Sequence, residues 1–188
     1  MTVYDFAERL AFSKALRQQS DEATLKVLFP QSVSVAKTDT DTDRMGVDYV
    51  VTLRRGARLL VDAKARDSGC CRYWRSGPEV ALETWSVRPG GKYAMPQHKA
   101  KVGWTLDESK DVDLILFTFH PDDHKFAYVR PLPLLRQAFH HNYLPWLERF
   151  KADVQDSREW ESACVFVPLR VVDQAIADVS KTQLVIPA

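Results

Sequence analysis

Gly46-Val47-Asp48-Tyr49-Val50-Val51-Thr52-Leu53-Arg54-Arg55-Gly56-Ala57-Arg58-Leu59-Leu60-Val61-Asp62-Ala63-Lys64-Ala65 is the stretch on which the fold turns. Val47 to Leu53 and Ala57 to Ala65 are mostly apolar, β-branched runs of strand length, and Arg54-Arg55-Gly56 between them suits a tight hairpin. A hairpin sets an early position of its first strand beside a late position of its second, so Asp48 meets Asp62 and Lys64. Side chains alternate along a strand, so Asp62 and Lys64 share one face while Ala63 points away. Two carboxylates and an ammonium therefore converge at one end of the hairpin. Charges in otherwise apolar strands must be desolvated, which is costly unless they are paired or used.

Upstream, Val3, Phe6, Leu10 and Leu16 recur at near-helical spacing through Arg17, and Thr2 with Asp5 resembles a capping box. A second helix is expected from Asp21 to Leu28, stopped by Pro30, then a short strand from Ser32 to Ala36. The acidic run Asp39 to Asp43 reads as a loop ending at Gly46. Downstream, Arg66 to Pro78 reads as a polar loop and Val80 to Val87 as a third strand, closed by Pro89-Gly90-Gly91. Pro96 opens an expected helix to about Trp104. Val112 to Phe119 is a continuous apolar run, the pattern of a strand buried on both faces, and Phe126 to Val129 pairs with it. Leu132 to Phe150 reads as a helix interrupted at Pro145. Ala163 to Val167 follows as a strand, Leu169 to Val179 as a helix and Leu184 to Ile186 as a last short strand. This order predicts an α/β fold with a central mixed β-sheet flanked by helices, in a single domain over residues 1–188.

Composition narrows the function classes. The chain has 188 residues, 45% of them hydrophobic and 27% charged, a globular balance too apolar for disorder. Its longest apolar run, Leu114 to Phe119, is far short of the roughly 20 residues of a membrane helix, so no membrane association is expected. No secretory signal is visible, and three cysteines, two adjacent (Cys70, Cys71), make no disulfide framework. A cytoplasmic location is the expectation. The net charge of +1 hides an asymmetry: Arg54 to Lys101 holds eleven Lys/Arg against four Asp/Glu (+7), and the remainder 15 against 21 (−6). A basic middle segment suits a polyanionic partner, or is an ordinary mixed surface.

Asp48, followed fourteen positions later by Asp62-Ala63-Lys64 on the second strand of a hairpin, resembles the signature of the PD-(D/E)xK, or restriction-endonuclease-like, nuclease superfamily. That family's order of helix, three-stranded meander, helix and strand is similar to this chain from about Val3 to Phe119, which leaves a carboxy-terminal α/β extension outside the resemblance. Val47 stands where the family name has proline. Gln97 to Lys101 is similar to a Gln-x-x-x-Tyr helix motif of one branch, with Lys101 in place of tyrosine, so no branch is assigned. Glu83, on the next expected strand, lies where several branches carry another acid; beside Arg88 and Lys92 it also reads as a solvated pair. Glu8 matches by position a helix glutamate of other branches, or is a surface residue.

The resemblance implies a Mg²⁺-dependent deoxyribonuclease, with Mn²⁺ as a substitute, that leaves 5′-phosphate ends. Asp48, Asp62 and the Ala63 carbonyl would hold the ion, since magnesium takes oxygen ligands and keeps several waters. Lys64 would orient water and stabilise charge growing on phosphorus. Arg54, Arg55, Arg66, Arg72 and Arg75, on the hairpin turn or the loop beside the metal site, are expected nucleic-acid contacts, and so are Gln97 and Lys99 on the helix expected from Pro96. A homodimer is one way to supply the two sites that cutting both strands calls for. The alternative from another class is a catalytically silent nuclease-fold protein that binds nucleic acid or a protein partner, for example in phage–host conflict. His120-Pro121-Asp122-Asp123-His124 has metal-ligand types but reads as a turn.

Overall fold

A computed structural model of the protein describes residues 21–39, 42, 45–66, 74, 77–91, 99–120, 126–156 and 160–183. Its elements begin with helix α1 (21–28) and strands β1 (Ser32–Lys37), β2 (Tyr49–Leu53) and β3 (Arg58–Arg66). Strands β4 (Glu79–Val87), β5 (Lys101–Val102), β6 (Leu114–Phe119) and β7 (Phe126–Pro131) follow. Helix α2 (Leu132–Arg149), strands β8 (Lys151–Asp156) and β9 (Glu161–Pro168) and helix α3 (Leu169–Gln183) complete the order. The strands make two sheets, a mixed one in the order β1-β2-β3-β6-β7 and an antiparallel one in the order β5-β4-β9-β8. The class is α/β, as expected. The sheets belong to two compact units, described separately below.

The unit with the mixed sheet comprises described residues of Leu10–Tyr73 and Ser109–Pro133. Its centre is the β2–β3 hairpin, in the register Tyr49↔Val61, Val50↔Leu60 and Val51↔Leu59. The Leu53 N–H donates to the Ala57 carbonyl at 2.8 Å and the Gly56 N–H to the Leu53 carbonyl at 2.9 Å. That closes a three-residue loop whose last residue must be left-handed, and Gly56 has φ 80°. One face of the sheet buries Tyr49, Val51, Val61, Ala63 and Leu116 together with Val35 and Leu25 of α1. Burying each Val or Leu contributes about 1.5–3 kcal/mol, so the period-two pattern fixes the register. β6 lies parallel to β3 and antiparallel to β7, buried from Ile115 to Phe119 as its apolar run requires.

Three expectations are corrected here. The meander is completed upstream by β1 rather than downstream by Val80 to Val87, because β6 takes the free edge of β3. Residues 101–102 are strand and 104–106 a turn, so the expected helix does not reach Trp104. The cause is Gly103, whose N–H donates to the Thr84 carbonyl at 3.0 Å. A Cβ on Gly103 would lie 2.2 Å from the Glu83 carbonyl oxygen, an approach only glycine allows. Finally, α2 runs unbroken through Pro145, which sits on the helix's exposed side where a lost hydrogen bond is left to water.

The other unit takes described residues of Trp74–Glu108 and Leu134–Ala188. β4 pairs with β9 (Val80↔Val167, Leu82↔Val165), and β9 with β8, a polar strand the hydrophobic pattern does not announce. Val172, Ala175, Ile176 and Val179 form the buried stripe of α3, three and four residues apart.

Candidate metal centre

Asp48 lies one residue before β2, at the open end of the hairpin. Its N–H donates to the Val61 carbonyl at 2.8 Å, one residue out of the Tyr49↔Val61 register. Its carbonyl accepts the Thr38 N–H at 3.0 Å and the Thr38 hydroxyl at 3.2 Å, and that hydroxyl also donates to the Val47 carbonyl. The backbone of Asp48 is thus held from both sides, and its carboxylate Oδ2 accepts the Ala63 N–H at 2.7 Å. In an extended strand a residue's N–H and C=O point to the same side, so the Ala63 carbonyl also opens toward Asp48.

Asp62 and Lys64 occupy one face of β3, as their spacing requires. The Lys64 Nζ donates to Asp62 Oδ1 at 2.6 Å. Asp62 is 1% exposed and Asp48 5%, whereas the Lys64 side chain keeps 23% of its surface in solvent. Asp62 Oδ2 is buried and has no hydrogen-bond partner among the described residues. Burial pushes the Asp62 carboxyl above its ordinary value; the Lys64 charge opposes this, the Asp48 charge adds to it, and the hydrogen bond from Lys64 and the Lys110 charge oppose it. Burial outweighs the two lysines, so the ionised form of Asp62 is incompletely compensated; a hard cation that takes oxygen ligands is a kind of group that would compensate it.

Lys110, on the segment that leads into β6, has no counterpart in the sequence reading. Its side chain crosses Gly46 so closely that a Cβ there would fall 2.7 Å from Nζ, and Gly46 has φ 90°. Thr38, which positions Asp48, was equally invisible. Neither belongs to a charged triplet, and only the β1–β2 and β3–β6 pairings bring their segments to the hairpin.

The other expected site residues belong to several different segments. Arg54 and Arg55 sit at the closed end of the hairpin. The five residues of β2 separate Arg54 from Asp48, six steps or about 20 Å at roughly 3.3 Å per residue, so the expectation that the turn lies beside the site is corrected. Arg66 continues the alternation of Asp62 and Lys64 and shares their face. Glu83 belongs to β4 in the other sheet, where its Oε2 accepts the Ser86 hydroxyl at 2.7 Å and the Trp104 N–H at 3.3 Å. Lys99 is exposed ahead of β5. Glu8, Arg72, Arg75 and Gln97 lie outside the described residues, as do Pro121 to His124; His120 is buried and its N–H donates to the Arg66 carbonyl at 3.0 Å. Among the described residues no group of three or more His, Cys, Asp or Glu side chains is placed to hold a metal. Comparison with protein-family models, curated proteins and solved structures finds no match to this chain.

Proposed function

We propose that the chain is a divalent-metal-dependent nuclease that hydrolyses phosphodiester bonds in DNA, with its centre at Asp48, Asp62 and Lys64. The observation that carries this reading is the unpartnered, buried Oδ2 of Asp62, next to a second carboxylate and an ammonium that reaches solvent. A protein has little reason to bury such an oxygen unless a ligand completes it. The resemblance to PD-(D/E)xK nucleases points the same way. So does the antiparallel β1–β2–β3 meander followed by a parallel strand, with Asp48 just before its second strand and Asp62-Ala63-Lys64 on its third.

The residues fit a magnesium ion: Asp48, Asp62 and the Ala63 carbonyl would hold it through oxygen, with water completing the shell. When bound, such an ion polarises a phosphodiester oxygen and lowers the pKa of a coordinated water. Lys64 contributes the rest. Its Nζ, anchored on Asp62 Oδ1 yet partly in solvent, orients the attacking water and stabilises negative charge developing on the phosphoryl oxygens. Thr38 and the backbone bond from Asp48 to Val61 hold the first carboxylate so that no reorganisation is needed.

The Lys64–Asp62 ion pair also suits a second reading, a nuclease-fold protein that binds nucleic acid without turnover, because the lysine neutralises part of the buried charge unaided. One experiment separates the two. Plasmid and short labelled DNA are incubated with the protein and Mg²⁺, Mn²⁺ or EDTA, beside the Lys64→Ala protein. Metal-dependent cutting lost in Lys64→Ala supports the nuclease. Binding without cutting, across duplex, single-stranded and branched substrates, supports the binder.

A further inference from the structure

The unit with the antiparallel sheet has a cavity of about 230 Å³ where the end of α2, the start of β8, the end of β9 and the start of α3 come together. Arg149, Lys151 and Arg170 line it together with a single acid, Glu79, and the side chains of Phe150 and Phe166. Lys151 is shared: its Nζ lies 3.6 Å from Asp153 and 5.4 Å from the centre of the Phe166 ring. Arg149 stands over the Phe150 ring at 5.3 Å, a contact that places the guanidinium without neutralising it. Neither Arg149 nor Arg170 has an ion-pair partner among the described residues.

The wall beside them is electropositive too. α3 is 15 residues long, has no acidic residue in its first turn, and contributes Arg170 and Val171 to the cavity. The first N–H groups of a helix lack intrahelical acceptors and carry its positive end. The Leu169 N–H is already given to the Pro78 carbonyl at 2.9 Å, which fixes the helix start against the sheet. The volume lies below the roughly 300–1,000 Å³ of drug-sized or cofactor pockets, so a small anionic group fits better than a whole nucleotide. The planar fork of an arginine guanidinium matches the oxygens of a phosphate better than it matches a spherical halide.

We propose that this cavity is a phosphate-binding site in which Arg149 and Arg170 take the oxyanion. The phosphate is either free or a backbone phosphate of nucleic acid; only the second source rests on the nuclease reading. The test is calorimetric titration of the full chain in EDTA, with inorganic phosphate and separately with a single-stranded oligonucleotide, beside Arg149→Gln/Arg170→Gln. Both arginines are exposed, so the variant should melt with the parent in chloride buffer. Phosphate affinity should fall at least about tenfold in the variant, as expected when charge-assisted bonds are lost. Loss of oligonucleotide affinity as well, with the salt slope lower by about one to two, identifies the backbone source. Unchanged oligonucleotide affinity identifies free phosphate. Equal affinities of parent and variant for both ligands, or no binding by the parent, overturn the site. Failed cleavage by the parent beside intact phosphate binding would remove the nuclease reading and leave this one standing.

Discussion

Asp62 is the residue at which folding and the proposed chemistry oppose each other. Its carboxyl, ordinarily near 3.8, is raised by burial against the pull of Lys64. A raised folded-state value means that folding favours the protonated form. The contribution to stability is full below the ordinary value and is lost as pH rises through the folded one, so at neutral pH the ionised Asp62 is a net cost. Asp62→Asn in EDTA at pH 7 should therefore melt no lower than the parent; a clear drop would mean that the Lys64 pair outweighs burial. The same logic predicts that Mg²⁺ or Mn²⁺ raises the melting temperature of the parent, and that Asp48→Asn/Asp62→Asn abolishes the rise. An equal rise in that variant would sink the metal site. Lys64 acts differently, since its ammonium is not needed to hold a cation. Lys64→Ala should bind DNA and metal about as well as the parent yet cut at least about 10²-fold more slowly, the loss usual for one electrostatic stabiliser. Equal rates in a single-turnover assay would reduce Lys64 to a strand-surface residue.

At the scale of elements, the hairpin turns on its glycines. Gly56 has φ 80° and no atom within 4 Å of a built Cβ, so Gly56→Ala meets only backbone strain. It should cost about 1–2 kcal/mol in denaturant unfolding. The turn is about 20 Å from Asp48 by strand rise, so cation binding should be unchanged. Gly46 combines φ 90° with the crossing Lys110 side chain, and Gly46→Ala must move that lysine as well as strain the backbone. Its melting temperature should fall and its cation affinity should change too. A Gly46→Ala protein that binds Mg²⁺ as the parent does would show that Lys110 has no part in the centre.

Across the whole molecule, the basic segment from Arg54 to Lys101 is divided between two compact units. Arg66 shares the face of Asp62 and Lys64, while Arg54 and Arg55 lie at the far end of the hairpin. A strand of DNA carries a phosphate every 3.4 Å or so, so the hairpin length corresponds to about six nucleotides. Arg66→Ala should weaken binding of short and long oligonucleotides alike, whereas Arg54→Ala/Arg55→Ala should affect only those longer than about six nucleotides. Filter binding across oligonucleotide lengths checks this, and an equal loss at every length would refute the proposed span. Among the described residues no helix is long and apolar enough to cross a membrane.

Local rules carried the sequence a long way. Period-two alternation, a turn glycine and a fourteen-residue interval were enough to place Asp48 beside Asp62 and to put Lys64 on the same face, because a hairpin's geometry follows from its own strands. The unbroken apolar run of β6 likewise announced a strand buried on both faces. What only the tertiary structure decided depends on pairings between distant segments. The neighbour of β3 is the parallel β6 rather than the next strand in the chain, which sends Glu83 to another sheet. β8 is a strand because β9 offers its edge, not because of its own polar residues. The β1–β2 ladder brings Thr38 to the Asp48 backbone, the β3–β6 ladder brings the segment of Lys110 to the hairpin, and Asp62 Oδ2 stays buried without a partner among the described residues. Hydrophobic period reports which face of an element is buried; which element buries it is set by long-range pairing that no local window contains.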